Sequence, residues 1–148
     1  MILAYFIAVT VCLIAAFTDF KYRKIYNWLV VITIASAAVI HRLNILHTLA
    51  PAVTLFLFMV FVAFLLRDTS MGGDVKFLSS LALLLGNDIY PAILISCTVF
   101  IVAGAIIYLR QNKGKFDAGF LKLKLPLGVF LPAGVLTVLI VRLLTKTI

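Results

Sequence analysis

Glutamate is absent from this chain of 148 residues, and charge of any kind is scarce. Only 12% of residues are charged, and all five acids are aspartates: Asp19, Asp68, Asp74, Asp88 and Asp117. So little charge excludes a disordered chain and a coiled coil. Cysteine is nearly absent too. Cys12 and Cys97 lie in apolar runs and form no C-x-x-C pair, which argues against a zinc knuckle and a disulfide framework. No internal repeat, low-complexity stretch or linker divides the chain, so residues 1–148 read as one domain.

What is present is apolar side chain. It makes up 65% of the residues, with a mean hydropathy of +1.24, where a soluble domain holds about 45–50%. No water-soluble core of this length hides so much, so most of the chain has lipid as its solvent. The predicted architecture is all-α and polytopic, with six apolar runs: Met1–Phe17, Ile25–Ile40, Ile45–Leu66, Val75–Leu85, Ile89–Leu109 and Leu125–Leu144. The first run has no basic segment before it. Lys21, Arg23 and Lys24 follow it instead, which favours a retained helix over a signal peptide. Trp28 is placed as an interfacial anchor, and Arg142 as a side chain that snorkels from the end of the sixth run.

The fourth run is short. Eleven residues at about 1.5 Å each reach roughly 17 Å, less than a hydrocarbon core of about 30 Å. Charge decides whether it crosses. With six crossings, Lys21, Arg23, Lys24, Arg67, Lys76, Arg110, Lys113, Lys115, Lys122 and Lys124 are inside, and Arg42, Arg142 and Lys146 outside, a split of 10 to 3. If the fourth run fails to cross, the split becomes 7 to 6. The excess of basic residues on cytoplasmic loops therefore favours six spans with both termini outside. The same rule accounts for the net charge of +8 without nucleic acid, because no basic face interleaved with aromatics is visible. The basic segment 110–124 reads equally as a leaflet-bound stretch or as a solvated loop.

Two aspartates stand where solubility does not explain them. Asp19 follows the first run by two residues, and Asp74 directly precedes the fourth. Acids at membrane helix ends are costly and tend to mark function, although pairing with Lys21, Arg23 or Lys76 would also account for each. Gly72 and Gly73 permit a tight turn and close backbone approach before Asp74. At a helix N-terminus Asp74 would meet free N–H groups and the positive dipole end.

Asp19-Phe-Lys-Tyr-Arg-Lys-Ile25-Tyr26-Asn27 is similar to the D-x5-I-P-N stretch of the prepilin peptidases. Gly72-Gly73-Asp74-Val75-Lys76-Phe77-Leu78 resembles their G-x-G-D-x-K-L stretch, and the segment from Leu125 through Pro126 and Gly128 to Gly134 resembles their P-x-G-P-F-L-x-x-G. The three occur in family order over most of the chain. Met71, Tyr26 and Val129 stand where the family pattern has Gly, Pro and Pro. The small size resembles the Tad (Flp) branch, and the two-aspartate logic resembles the wider GxGD intramembrane proteases, presenilin included. Larger prepilin peptidases carry paired C-x-x-C motifs and a methyltransferase activity. Neither the motif nor room for that part is found here, so the resemblance implies cleavage without N-methylation.

The resemblance implies catalytic roles for Asp19 and Asp74, with Asn27, Gly72, Gly73, Lys76, Pro126, Gly128 and Gly134 as supporting motif residues. It implies cleavage of bacterial prepilins after a short basic leader, at the cytoplasmic face of the inner membrane. Two carboxyls sharing a site retain one proton between them and can activate water. No metal, cofactor, serine triad or cysteine nucleophile is needed, and the implied partners are a prepilin and the lipid bilayer. Ser79, Ser80, His41 and His47 read as packing or interfacial residues. A cap on the second helix is the expected task of Asn27, and close helix packing that of Pro132 and Gly134. Two other classes fit some of these features: a small ion or solute transporter, and a non-catalytic assembly partner derived from a peptidase. The transporter fits poorly, because the acids lie at one face and not at the bilayer midplane. Prepilin cleavage on co-expression, against solute flux in proteoliposomes, separates them. An archaeal preflagellin peptidase shares the same logic.

Overall fold

The structure is a computed structural model that describes residues 2–22, 24–42, 45–66, 72–111 and 129–146. Every regular element among them is helical. The six helices are α1 (Ile2–Tyr22), α2 (Asn27–Ile40), α3 (Ile45–Leu66), α4 (Gly72–Leu85), α5 (Ile89–Gln111) and α6 (Leu131–Lys146). Among the described residues, three spans are long and apolar enough to cross a membrane: Ile2–Tyr22, Leu46–Leu65 and the composite Gly72–Ile107. Asn27–Ile40 and Leu131–Thr145 are shorter apolar helices. Large apolar side chains such as Phe17, Leu57, Phe61, Phe64 and Leu94 stand exposed on the outer faces. That surface belongs in lipid, not in water.

The helices match the apolar runs, with informative differences at the ends. The third run and α3 coincide. α1 continues past Phe17 through Asp19 to Tyr22, so Asp19 lies inside the last turn and not beyond the helix. α4 begins at Gly72, ahead of Val75. Gly72 and Gly73 are thus the first residues of a helix, which corrects the expected tight turn. α6 begins at Leu131, with Pro132 in its first turn, where a missing N–H costs nothing. Met71, Pro126, Gly128, residues 125–127 and most of 110–124 lie outside the described residues.

The shortest predicted run forms the centre of the bundle. α4 packs against α1, α2 and α3. It buries Val75, Phe77, Leu78, Ser80, Leu81, Ala82, Leu84 and Leu85 and leaves one stripe, Lys76, Ser79 and Leu83, less covered. A helix buried over most of its circumference is largely shielded by protein and need not match the lipid in length. α4 ends in a single 3-10 turn, Gly86–Asp88, before α5. Gly86 has φ 62°, the left-handed region, and a Cβ there would stand 3.4 Å from Thr48. Glycine is the residue that takes this conformation without strain.

α5 and α6 form a second packed pair, joined to the rest mainly through α1. Their seam needs Gly134: a Cβ there would stand 2.0 Å from the Ala92 carbonyl oxygen and 2.2 Å from Ser96 Oγ. Backbones come this close only over small residues. Phe100 meets Phe130 edge-on, with centroids 5.4 Å apart, at the start of α6. Buried hydroxyls donate to nearby carbonyls in their own helices: Thr33 to Leu29 at 2.7 Å, Ser80 to Phe77 at 2.7 Å, and Ser96 to Ala92 at 2.8 Å. An apolar medium supplies no water for these groups, so each is satisfied internally.

Candidate active site

The end of α1, the start of α2 and the start of α4 meet at one end of the bundle. There they enclose an open cavity of about 430 Å³ lined by Asp19, Lys24, Ile25, Tyr26, Asn27, Gly73 and Asp74. The two aspartates, fifty-five residues apart in sequence, thus face a common space. Each is half-buried. The local reasons differ. Asp19 is held by the last turn of α1, below Thr18, whose hydroxyl donates to the Ala15 carbonyl at 3.0 Å. Asp74 lies in the first turn of α4, where free N–H groups and the dipole favour an anion.

Residues 24–26 carry no helix and line the cavity between α1 and α2. Tyr22 and Tyr26 pack edge-on at 6.3 Å, and the Lys21 ammonium stands 5.2 Å from the Tyr22 ring centroid. Tyr26 is the residue before the first turn of α2 and makes no side-chain cap hydrogen bond. Asn27 is therefore the first helical residue and not the cap, a correction to its expected task. It lines the cavity instead.

The two glycines play unequal parts. A Cβ on Gly73 would meet Ile25 Cβ at 3.7 Å, an ordinary contact, and one on Gly72 would meet nothing within 4 Å. Close approach is thus required at Gly134 and not at Gly72. Gly134 lies in the α5–α6 seam and does not line the cavity, and Lys76 is exposed and is not among its lining residues. Ser79 and Ser80 bond to carbonyls of their own helix, and His41 Nε2 lies 2.9 Å from the Leu84 carbonyl oxygen. Lys24, Ile25 and Tyr26 were not singled out as site residues from sequence. Their signal was position: they fill the interval between Asp19 and Asn27, two residues that face one site.

Among the described residues, no three His, Cys, Asp or Glu side chains group as a metal site. The cavity offers two carboxyls, one ammonium and an amide beside an apolar wall. Such a set suits acid–base chemistry on a polar bond held at the edge of a membrane bundle. The fold and cavity define a helical membrane protein with a two-aspartate site at one end. The type IV leader peptidase family matches residues 6–109, more than half of the chain and both aspartates. The protein belongs to that family, a family of proteases. No match was found among curated proteins or solved structures.

Proposed function

We propose that the chain is a membrane-embedded aspartyl endopeptidase that removes the basic leader from bacterial prepilins of the Flp/Tad or type IV-like kind. The observation that carries this reading is the shared cavity of Asp19 and Asp74, which joins two of the motif stretches at one place. Membership of the leader peptidase family supports it.

In the proposed reaction one carboxylate takes a proton from a bound water, and the water oxygen attacks the scissile carbonyl carbon. The other carboxyl gives its proton to the carbonyl oxygen. The tetrahedral intermediate is not covalently attached to the protein. It collapses by breaking the C–N bond, and the amine leaves with a proton from the pair. The pair acts as a unit, so the base and the acid are not assigned to one residue each. Lys24 places positive charge beside the carboxyls, and Ile25 and Tyr26 supply an apolar wall for an extended backbone.

The reading places the cavity at the cytoplasmic face of the inner membrane, with six crossings and both termini outside. Two independent features support this. The basic residues divide 10 to 3 in that arrangement. The start of α1 and the end of α6 also line a common cavity at the opposite end of the bundle. The test is a cleavage assay with a co-expressed prepilin, with Asp19 and Asp74 changed to Asn in turn. Uncut prepilin with both variants and cut prepilin with the parent are expected. Full cleavage by either variant overturns the two-aspartate mechanism.

A further inference from the structure

A second polar cluster lies at the far end of the bundle. Asp88, in the 3-10 turn after α4, accepts a hydrogen bond from the Tyr5 hydroxyl through Oδ2. Its Oδ1 lies 2.6 Å from Arg142 Nη2. Tyr5 is 5% exposed, the Asp88 side chain 15% and the Arg142 side chain 58%. The cluster therefore ties α1, the α4–α5 junction and α6 together.

Its position relative to the proposed active site is regular. Tyr5 precedes Asp19 on α1 by fourteen residues, and Asp88 follows Asp74 by fourteen. α1 and α4 are thus antiparallel neighbours, joined at one end by Tyr5 and Asp88 and meeting at the other around the Asp19–Asp74 cavity. Fourteen residues of helix span about 21 Å. Between the two ends, α1 buries Ala8, Val11, Cys12, Ala15 and Thr18, mostly small side chains. A smooth seam allows close approach but offers few ridges to resist sliding. A slip of one residue moves a helix by about 1.5 Å, and a misplacement of about 1 Å can cost on the order of 100-fold in rate.

We propose that Tyr5, Asp88 and Arg142 form a register clasp that sets the axial position of α1 against α4, and so the position of Asp19 relative to Asp74. These are positioning residues for the reaction, not catalytic ones. The inference rests on the peptidase reading for its kinetic arm, but not for its structural arm.

The test uses the full chain in proteoliposomes and a peptide with a basic leader joined to an apolar helix. Asp88→Asn and Arg142→Gln are expected to lower kcat by about 10- to 100-fold with little change in KM. Tyr5→Phe keeps the ring and should lose less, and Arg142→Lys keeps the charge and should regain most of the rate. The structural arm places spin labels at Phe20→Cys and Asn87→Cys, with Cys12 and Cys97 replaced by Ala. Their separation lies mainly along the bundle axis, so a slip of α1 shifts or broadens the distance by about 1.5 Å or more. An unchanged distance in both Asp88→Asn and Arg142→Gln overturns the clasp. So does a loss expressed only in KM. A parent enzyme that cuts nothing sinks the peptidase reading alone, and the label distance then decides the clasp.

Discussion

Arg142 Nη2 and Asp88 Oδ1 stand 2.6 Å apart across fifty-four residues of sequence. The contact brings the last turns of α6 to the junction of α4 and α5, and Tyr5 joins them from the first turn of α1. One end of the bundle therefore collects the start of α1, the end of α4 and the end of α6. The other collects the end of α1 and the starts of α2 and α4, around Asp19 and Asp74. The three described acids are split by this arrangement. Asp88 is occupied in a helix-joining cluster, while Asp19 and Asp74 face an open cavity.

Asp19→Asn and Asp74→Asn should each abolish detectable cleavage while the protein stays folded in the membrane. Asn preserves shape and hydrogen bonding but cannot transfer a proton, and acid–base catalysis contributes about 10²–10⁴-fold per group. Prepilin processing on immunoblots reports the loss, and detergent gel filtration reports the fold.

Lys24 and Lys76 should differ. Both are exposed, but Lys24 lines the cavity and Lys76 lies outside it. An exposed charge is worth about 0–1 kcal/mol, so Lys76→Ala should keep the rate within about fivefold. Lys24→Ala should lose more than Lys76→Ala in the same assay. The reverse order would show that the motif spacing after Asp74 matters more than the geometry of the cavity wall.

Gly73 and Ile25 offer a covalent test of the cavity. A Cβ on Gly73 would stand 3.7 Å from Ile25 Cβ, close to the mean of about 3.8 Å in disulfides. Gly73→Cys with Ile25→Cys, in a background without Cys12 and Cys97, should cross-link on mild oxidation. The bridge pins the non-helical segment 24–26 to the first turn of α4. Cleavage should fall when oxidised and recover with reductant. Absence of a cross-link by mass spectrometry would place Ile25 away from α4.

Much of this arrangement was legible in the sequence, because long apolar runs announce membrane helices directly. α3 coincides with its run, and the other helices start or stop within about three residues of theirs, except at the end of α1 and the start of α6. The errors have physical causes. Gly72 and Gly73 read as a turn, since two glycines carry low helix propensity, but packing of α4 on its neighbours draws them into the helix. Asn27 read as a cap, one residue away from Tyr26, which holds that place. Arg142 read as a snorkelling side chain, and Asp88 carried no role. No local pattern connects residues fifty-four apart; only the antiparallel packing of α5 on α6 and of α1 on α4 brings them together. The shortness of the fourth run was visible, while its physical context, burial of α4 over most of its circumference, belongs to the tertiary structure.

Gly134→Ala should destabilise the bundle. The added Cβ would stand 2.0 Å from the Ala92 backbone oxygen, so α5 and α6 must separate. Overpacking of this kind costs about 1–3 kcal/mol, read as a lower Tm in detergent. Gly72→Ala serves as the control, since nothing lies within 4 Å of that position, and removing a helical glycine there should be neutral or stabilising by up to about 1 kcal/mol.

The orientation of α4 carries the mechanism, because a re-entrant α4 would not join the two ends of the bundle across the membrane. α4 has 14 residues, about 21 Å at helical rise, against about 30 Å of hydrocarbon. Its two ends offer exposed positions, Gly72 and Asn87. Single cysteines there, and at Tyr22 and Thr145, allow labelling with a membrane-impermeant thiol reagent once Cys12 and Cys97 are replaced. In whole cells with a permeable outer membrane, Asn87 and Thr145 should label, and Tyr22 and Gly72 should label only after the inner membrane is opened. Labelling of Gly72 and Asn87 from the same side would make α4 re-entrant and undo the six-span arrangement. Labelling of Tyr22 from outside would put the end of α1, and with it Asp19, in the wrong compartment for a leader that is cut before export. The 10 to 3 distribution of basic residues and the clustering of the α1 start, the α4 end and the α6 end at one pole both point to the first outcome.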